Sequence, residues 1–308
     1  MPNAKTLDIH AGGKPKFLLI GSTGGGKTTQ IVTLPGRTFA YLFDPSSLST
    51  LRGFDVEYES FFPEKVNLSA QSLAKGKGDK TPKGAQREDA SEVYREWEED
   101  FEGKIATGYF DAYDNIAFDS FTTFSDIVMD RILAINGRPG HFPQQDDWAA
   151  QMGSITNVVR TLVGMNKVLI FTAHDEFKQD EASKRMQNVL MLTGRLKIKL
   201  PLLFSEIWHM DSNSTAEKIS YTAQTRADRL NPTIRCTVRD MPMYADMTIQ
   251  DWRKPQDYGL GKILREKLGY NPAPRQVLDV GRLVSPVPAT TMATAPAQAS
   301  GGNSGGAK

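Results

Sequence analysis

The segment Gly21-Ser22-Thr23-Gly24-Gly25-Gly26-Lys27-Thr28 has the residue types and spacing to hold a chain of phosphates. Phosphate oxygens need many donors around a small concave space, and side chains would block the approach. Glycines let backbone N–H groups converge there, and a following helix adds the positive end of its dipole. Lys27 would bring a mobile point charge to the β- and γ-phosphates, and the Thr28 hydroxyl is placed to bind Mg²⁺. Thr29 carries the loop into the next element. A glycine-rich turn with an incidental lysine would spell the same letters, and the flanks decide between the two. Phe17-Leu18-Leu19-Ile20 reads as a buried strand, and Thr28 to Leu34 reads as a helix stopped by Pro35-Gly36.

Gly21-x-x-x-x-Gly26-Lys27-Thr28 is the full Walker A pattern, so ATP with Mg²⁺ is the expected ligand. Triphosphate chemistry also needs a carboxylate for the metal and a group that orients or deprotonates water. Asp119 ends the apolar run Ile116-Ala117-Phe118 and suits a Walker B carboxylate reaching Mg²⁺ directly or through water. Asp44 follows the strand Thr38–Phe43, so it should project from the same sheet edge as Lys27 and Asp119. An Asp before Pro45 is equally an ordinary turn residue, and Glu176 is a rival for the water-orienting role.

Strand, helix, strand at this spacing is the βαβ unit of a parallel sheet. Phe121 to Ile135 predicts a helix closed by Asn136-Gly137, followed by a loop at 137–146 that carries Arg138, His141 and Phe142. From Asp147 to Gly164 the positions Trp148, Met152, Ile155, Val159 and Leu162 keep helical spacing, which turns one face to the sheet. Val168–Phe171 is a further strand, ending at Thr172-Ala173-His174. Residues 175–199 read as a mixed, basic loop with Lys178, Lys184, Arg185, Arg195, Lys197 and Lys199. Strand-like runs near Glu206–Met210, Lys218–Ala223 and Ile234–Val238 precede a terminal helix at 258–268.

The expected organisation is a lead-in at 1–15, an α/β domain at 16–270 and a Pro/Ala/Gly/Ser-rich tail at 271–308. The tail cannot bury enough apolar surface to offset its ordering entropy and is expected to be mostly disordered. Residues 70–90 read as a basic insertion loop, either solvated or touching nucleic acid. Residues 88–103 read as an exposed helix rich in Glu and Asp.

Bulk composition narrows the class. The 308 residues are 39% hydrophobic and 24% charged, the balance of a globular protein. No apolar run approaches the ~20 residues of a spanning helix, and Met1–Gly13 holds no apolar stretch for a secretory signal. The expected compartment is the cytoplasm, with no membrane partner. Cys236 alone excludes an internal disulfide framework. His10, His141, His174 and His209 stand apart without Cys partners, which argues against structural zinc. A net charge of +1 leaves any nucleic-acid surface to local patches.

Taken in order, Gly21–Thr29, Ile116-Ala117-Phe118-Asp119-Ser120 and Val168–His174 resemble the RecA-like core ATPases, especially the phage-encoded RecA-like proteins of single-strand annealing. The resemblance spans roughly residues 15–240. It implies a RecA-like P-loop NTPase core, mostly parallel sheet flanked by helices, hydrolysing ATP in phage DNA recombination, annealing or replication. It also implies single-stranded DNA as a partner, a homo-oligomer, and the host cytoplasm. In that pattern a polar residue ending the strand after Walker B senses the γ-phosphate and passes its state to a DNA-binding loop. His174 occupies that place, with 175–199 as the loop and 137–146 as a second DNA-facing loop. The implied catalytic residues are therefore Lys27, Asp44, Asp119 and His174. Two departures bear on turnover: the family's usual acid is Glu, one carbon longer than Asp44, and the usual Gln switch is a His able to titrate near neutral pH. Arg226, Arg229 and Arg235 fall in the late strands, where related ATPases keep cations for a neighbouring subunit's phosphates.

Other readings share the motifs. A DNA-packaging or translocating motor would need a nuclease or docking domain, and nothing after residue 240 resembles one. A P-loop small-molecule kinase could use 175–199 as its lid, and a nucleotide-gated binding module would turn over negligibly.

Overall fold

A computed structural model describes residue 9 and residues 13–62, 88–181 and 184–272. The insertion expected at 70–90, but for its last three residues, lies outside the described residues, as does the tail beyond residue 272. The chain divides into Met1–Pro274 and Arg275–Lys308, and the architecture below belongs to the first unit.

In chain order the elements are β1 (Lys16–Ile20), β2 (Thr38–Leu42), α1 (Pro45–Leu51), β3 (Glu57–Ser60), α2 (Glu88–Ala106), β4 (Asn115–Asp119), α3 (Phe121–Ile135) and α4 (Gln145–Gly164). They continue with β5 (Val168–Ala173), β6 (Asp175–Gln179), β7 (Met186–Leu190), α5 (Leu196–Lys199), β8 (Glu206–Ser214), β9 (Ile219–Gln224), β10 (Tyr244–Asp246) and α6 (Gly259–Leu268).

Eight strands form one sheet in the order β10-β9-β8-β1-β5-β4-β2-β3. From β8 to β3 every neighbour is parallel, while β9 and β10 extend the sheet antiparallel. The central strands are buried on both faces, which is why they read as continuous apolar runs. Alternate residues serve opposite layers. Leu18 and Ile20 join Tyr41, Phe118 and Phe171 under α2, α3 and α4. Phe17 and Leu19 join Ile170 and Trp208 under α6. Ala40, Leu42 and Ala117 meet α1 and the turn after the glycine loop. This is the mostly parallel sheet flanked by helices expected from the sequence.

Several elements depart from expectation. The helix expected after the loop is present over Thr28–Thr33 but takes the tighter 3₁₀ form; five of its six residues are β-branched and crowd an α-helical turn. Residues 88–106 do not form a merely exposed helix, because Val93, Tyr94, Trp97 and Phe101 recur every three or four positions and are buried. On α4, Ile155, Val159 and Leu162 reach the core, whereas Trp148 stays 37% exposed. Ile234–Val238 is no strand. It makes a single bridge, Ile207 with Arg235, and the Thr237 N–H is spent on the Glu206 carboxylate.

Residues 175–199 are not a loop either. β6 and β7 pair as an antiparallel ribbon, and α5 follows.

Candidate nucleotide site

Parallel connectivity brings the carboxyl ends of β1, β5, β4 and β2 to one edge of the sheet, where open α/β folds bind ligands. β5 lies between β1 and β4, with Leu19 opposite Thr172 and Phe118 opposite Phe171. The glycine loop leaves β1, Asp119 ends β4, Asp44 follows β2, and His174 follows β5. All of them line one cavity of about 300 Å³, together with Ser46, Ser47, Thr50, Ser120 and Tyr221. That volume is at the lower end for a small-molecule site.

The loop is shaped by its neighbours. A Cβ on Gly21 would lie 2.2 Å from the carbonyl oxygen of Met210 on β8, so the close approach of the two chains requires glycine. Gly26 has φ +80 and would drive a Cβ into the Tyr221 ring at 2.6 Å. Above Gly24, by contrast, nothing comes within 4 Å. Lys27 is buried and donates to the carbonyls of Gly21 at 2.6 Å and Ser22 at 2.8 Å. Burial pushes its ammonium below the ordinary lysine range, against the raising charges of Asp119, Asp175 and Asp44. A phosphate chain would replace those carbonyls with full negative charge.

Asp119 is the hub. Its Oδ2 accepts from Thr28 Oγ1 at 2.9 Å and from Ser47 Oγ at 2.6 Å, and its Oδ1 accepts from Thr172 Oγ1. Among the described residues no three His, Cys, Asp or Glu side chains converge as a metal cage. A hard cation here would therefore take Asp119 and Thr28 and complete its shell with phosphate oxygens and water, the habit of Mg²⁺. The donor set fits MgATP, and the bound ion would supply charge neutralisation.

Asp44 stands at the N-cap of α1, yet its side chain makes no cap bond; Oδ1 accepts from Thr123 Oγ1 at 2.6 Å instead. His174 is half-buried, and its main-chain N–H donates to Thr122 Oγ1 at 2.9 Å. Burial first, then the Lys27 charge, holds its imidazole below the ordinary histidine value; Asp44, Asp119 and Asp175 oppose them.

The sequence matches the AAA domain family model over residues 13–233. The chain belongs to the AAA domain family. It is a P-loop ATPase. No curated protein matches it. Among solved structures, the KaiC-like protein PH0186 of Pyrococcus horikoshii OT3 is similar at 11% identity and a TM-score of 0.37, covering 79% of this chain and 87% of that one. The flagellar accessory protein FlaH of Methanocaldococcus jannaschii is similar at 10% identity and a TM-score of 0.32, covering 78% and 89%. Among the described residues of this AAA domain, no helix is long and apolar enough to cross a membrane.

Sequence reasoning missed Ser47, Thr172 and Tyr221. Single hydroxyls at unremarkable positions carry no pattern, and only the fold brings them together. It also missed the pair beside the loop, in which His209 Nε2 meets Asp175 Oδ2 at 2.8 Å. Burial alone would raise the Asp175 carboxyl, but His209 and the Lys27 charge hold it below its ordinary value. Glu176 is exposed on β6 and does not line the cavity. The three arginines lie outside the late strands, except for the one bridge made by Arg235. Arg226 donates to Met241 O at 3.0 Å and Arg235 to Pro201 O at 2.9 Å, both backbone-supporting contacts.

Proposed function

We propose that this AAA-domain ATPase couples ATP hydrolysis to the binding of single-stranded DNA, acting as an oligomer in phage recombination, annealing or replication. In this reading the glycine loop with Lys27 holds the phosphates, Thr28 and Asp119 hold Mg²⁺, Asp44 orients water and His174 reports the γ-phosphate. The observation that carries it is where the β6–β7 ribbon is rooted. β6 starts at Asp175, directly after His174, and Met191 N, just past β7, donates back to His174 O at 2.9 Å. Both ends of the ribbon thus close on a residue that lines the nucleotide cavity.

A two-stranded ribbon with few buried side chains costs little to reposition. This one exposes Lys178, Lys184 and Phe177, and Arg195 and Lys199 follow it on the surface. Phe142, 88% exposed in the 137–146 loop, offers a second ring for base stacking. The sequence resemblance supports the phage recombination setting and the oligomer.

The test is fluorescence anisotropy with a labelled oligonucleotide. Single-stranded DNA should bind more tightly with ATP than with ADP, and affinity should fall steeply with salt because cations act on phosphates. Lys178→Ala/Lys184→Ala should weaken binding in both nucleotides, and His174→Ala should abolish the difference between them. Equal affinity in ATP and ADP, unmoved by these substitutions, would remove the DNA reading and favour the kinase.

A further inference from the structure

Most of the cavity wall is glycine, hydroxyl and charge, and these serve phosphates and a cation. Apart from His174, one flat ring lines it: Tyr221, on β9. We propose that Tyr221 carries the base of the bound nucleotide by stacking, so that the site selects purine nucleoside triphosphates. The proposal rests on the phosphate-loop reading and adds to it a residue that discriminates the base.

The placement has a structural cause. β8 and β9 pair from His209–Gln224 out to Ser214–Ile219, and Met210 of β8 lies against the loop at Gly21 and Gly25. Tyr221, opposite Ser212, therefore stands beside the loop itself, with its ring on Gly26. Its backbone is held on both sides. Tyr221 N donates to Thr248 Oγ1 at 2.9 Å, and Met247 N donates to Tyr221 O at 2.9 Å. Its side chain is only partly buried, and its hydroxyl makes no hydrogen bond among the described residues. Packing support for Gly26 alone would be met by any apolar side chain. A pinned backbone and a partly buried ring that lies on Gly26 and lines the phosphate cavity suit a base. The larger π-face of a purine gains more from such a ring than a pyrimidine does.

The test compares ATP with inorganic tripolyphosphate by titration calorimetry, each with Mg²⁺. Tyr221→Leu keeps an apolar body against Gly26 but removes the π-face, and Tyr221→Phe keeps the face. Tyr221→Leu should weaken ATP by roughly 10-fold or more while tripolyphosphate affinity stays within about twofold. Tyr221→Phe should restore most of the ATP affinity, and wild type should prefer ATP and GTP to CTP and UTP. Equal losses for ATP and tripolyphosphate in Tyr221→Leu would make the ring a support for the loop and overturn the proposal. Unchanged ATP affinity would also overturn it. Should wild type bind neither ligand, the phosphate-loop reading itself falls, and the proposal with it.

Discussion

At the scale of single residues, the chemistry is concentrated in carboxylates whose partners differ. Asp119 is buried among three hydroxyls, one of them Thr28. Asp44 occupies an N-cap position but gives its oxygen to Thr123 rather than to α1. Forgoing a cap gives up ~1 kcal/mol of helix stability, while the bond to Thr123 ties the end of β2 to α3. On the proposed role for Asp44, Asp44→Asn should lower kcat by ~10²-fold with the Kd for ATP within about twofold, since a water-orienting group acts mainly in the transition state. Asp119→Asn should instead shift the Mg²⁺ dependence of hydrolysis. Steady-state rates across a Mg²⁺ titration separate the two; a wild-type kcat in Asp44→Asn would send the search to His174. Lys27 and Asp119 were legible in the sequence because their spacing from strand and glycine is itself the pattern. Ser47 and Thr172 were not, since a lone hydroxyl has a role only once strand order puts it beside Asp119.

At the scale of elements, the strands of the parallel core and the helices α3, α4 and α6 follow from apolar runs and helical periodicity. The misses have local reasons. β3 is the edge strand Glu57-Tyr58-Glu59-Ser60, held by pairing with β2 and not by apolar content. α1 begins at Pro45, which suits a first helical position as well as a turn. The ribbon β6–β7 is polar on most of its surface and so lacks strand alternation. The joint between the loop's 3₁₀ helix and α6 was equally hidden. Leu260 N donates to Gln30 Oε1 at 3.0 Å and Gly261 N to Thr33 Oγ1 at 3.1 Å. Gln30 Nε2 reaches Met247 O at 3.1 Å. A Cβ on Gly261 would sit 1.8 Å from Thr33 O, a backbone atom that cannot swing aside. Gly261→Ala should thus destabilise the fold by ~1–3 kcal/mol, as overpacking does. Thermal melts of the variant check this, and an unchanged midpoint would mean that the joint is loose.

At the scale of the whole molecule, the sequence could not supply the strand order, because pairing of β1 with β5 joins residues far apart in the chain. That order sets the function, since it alone places Lys27, Asp119, Asp44 and His174 around one cavity. A ligand seated there bridges the ends of four strands and the root of the ribbon, so its binding energy should appear as global stability. For a ligand that binds only the folded state, a concentration 100 times Kd contributes ~2.7 kcal/mol. In a domain of this size that corresponds to a rise in melting temperature of roughly 5–10 °C. MgATP should produce that rise in wild type, and ADP a smaller one if His174 and the ribbon respond to the γ-phosphate. Lys27→Ala should melt close to wild type without nucleotide and lose the MgATP response. Its ammonium is buried against carbonyls at a cost, and its removal leaves two acceptors at a cavity that water can enter. Differential scanning fluorimetry over a MgATP series resolves these cases. A midpoint that does not move at millimolar MgATP would contradict the nucleotide site, whereas a rise retained in Lys27→Ala would place the phosphates elsewhere on the sheet edge.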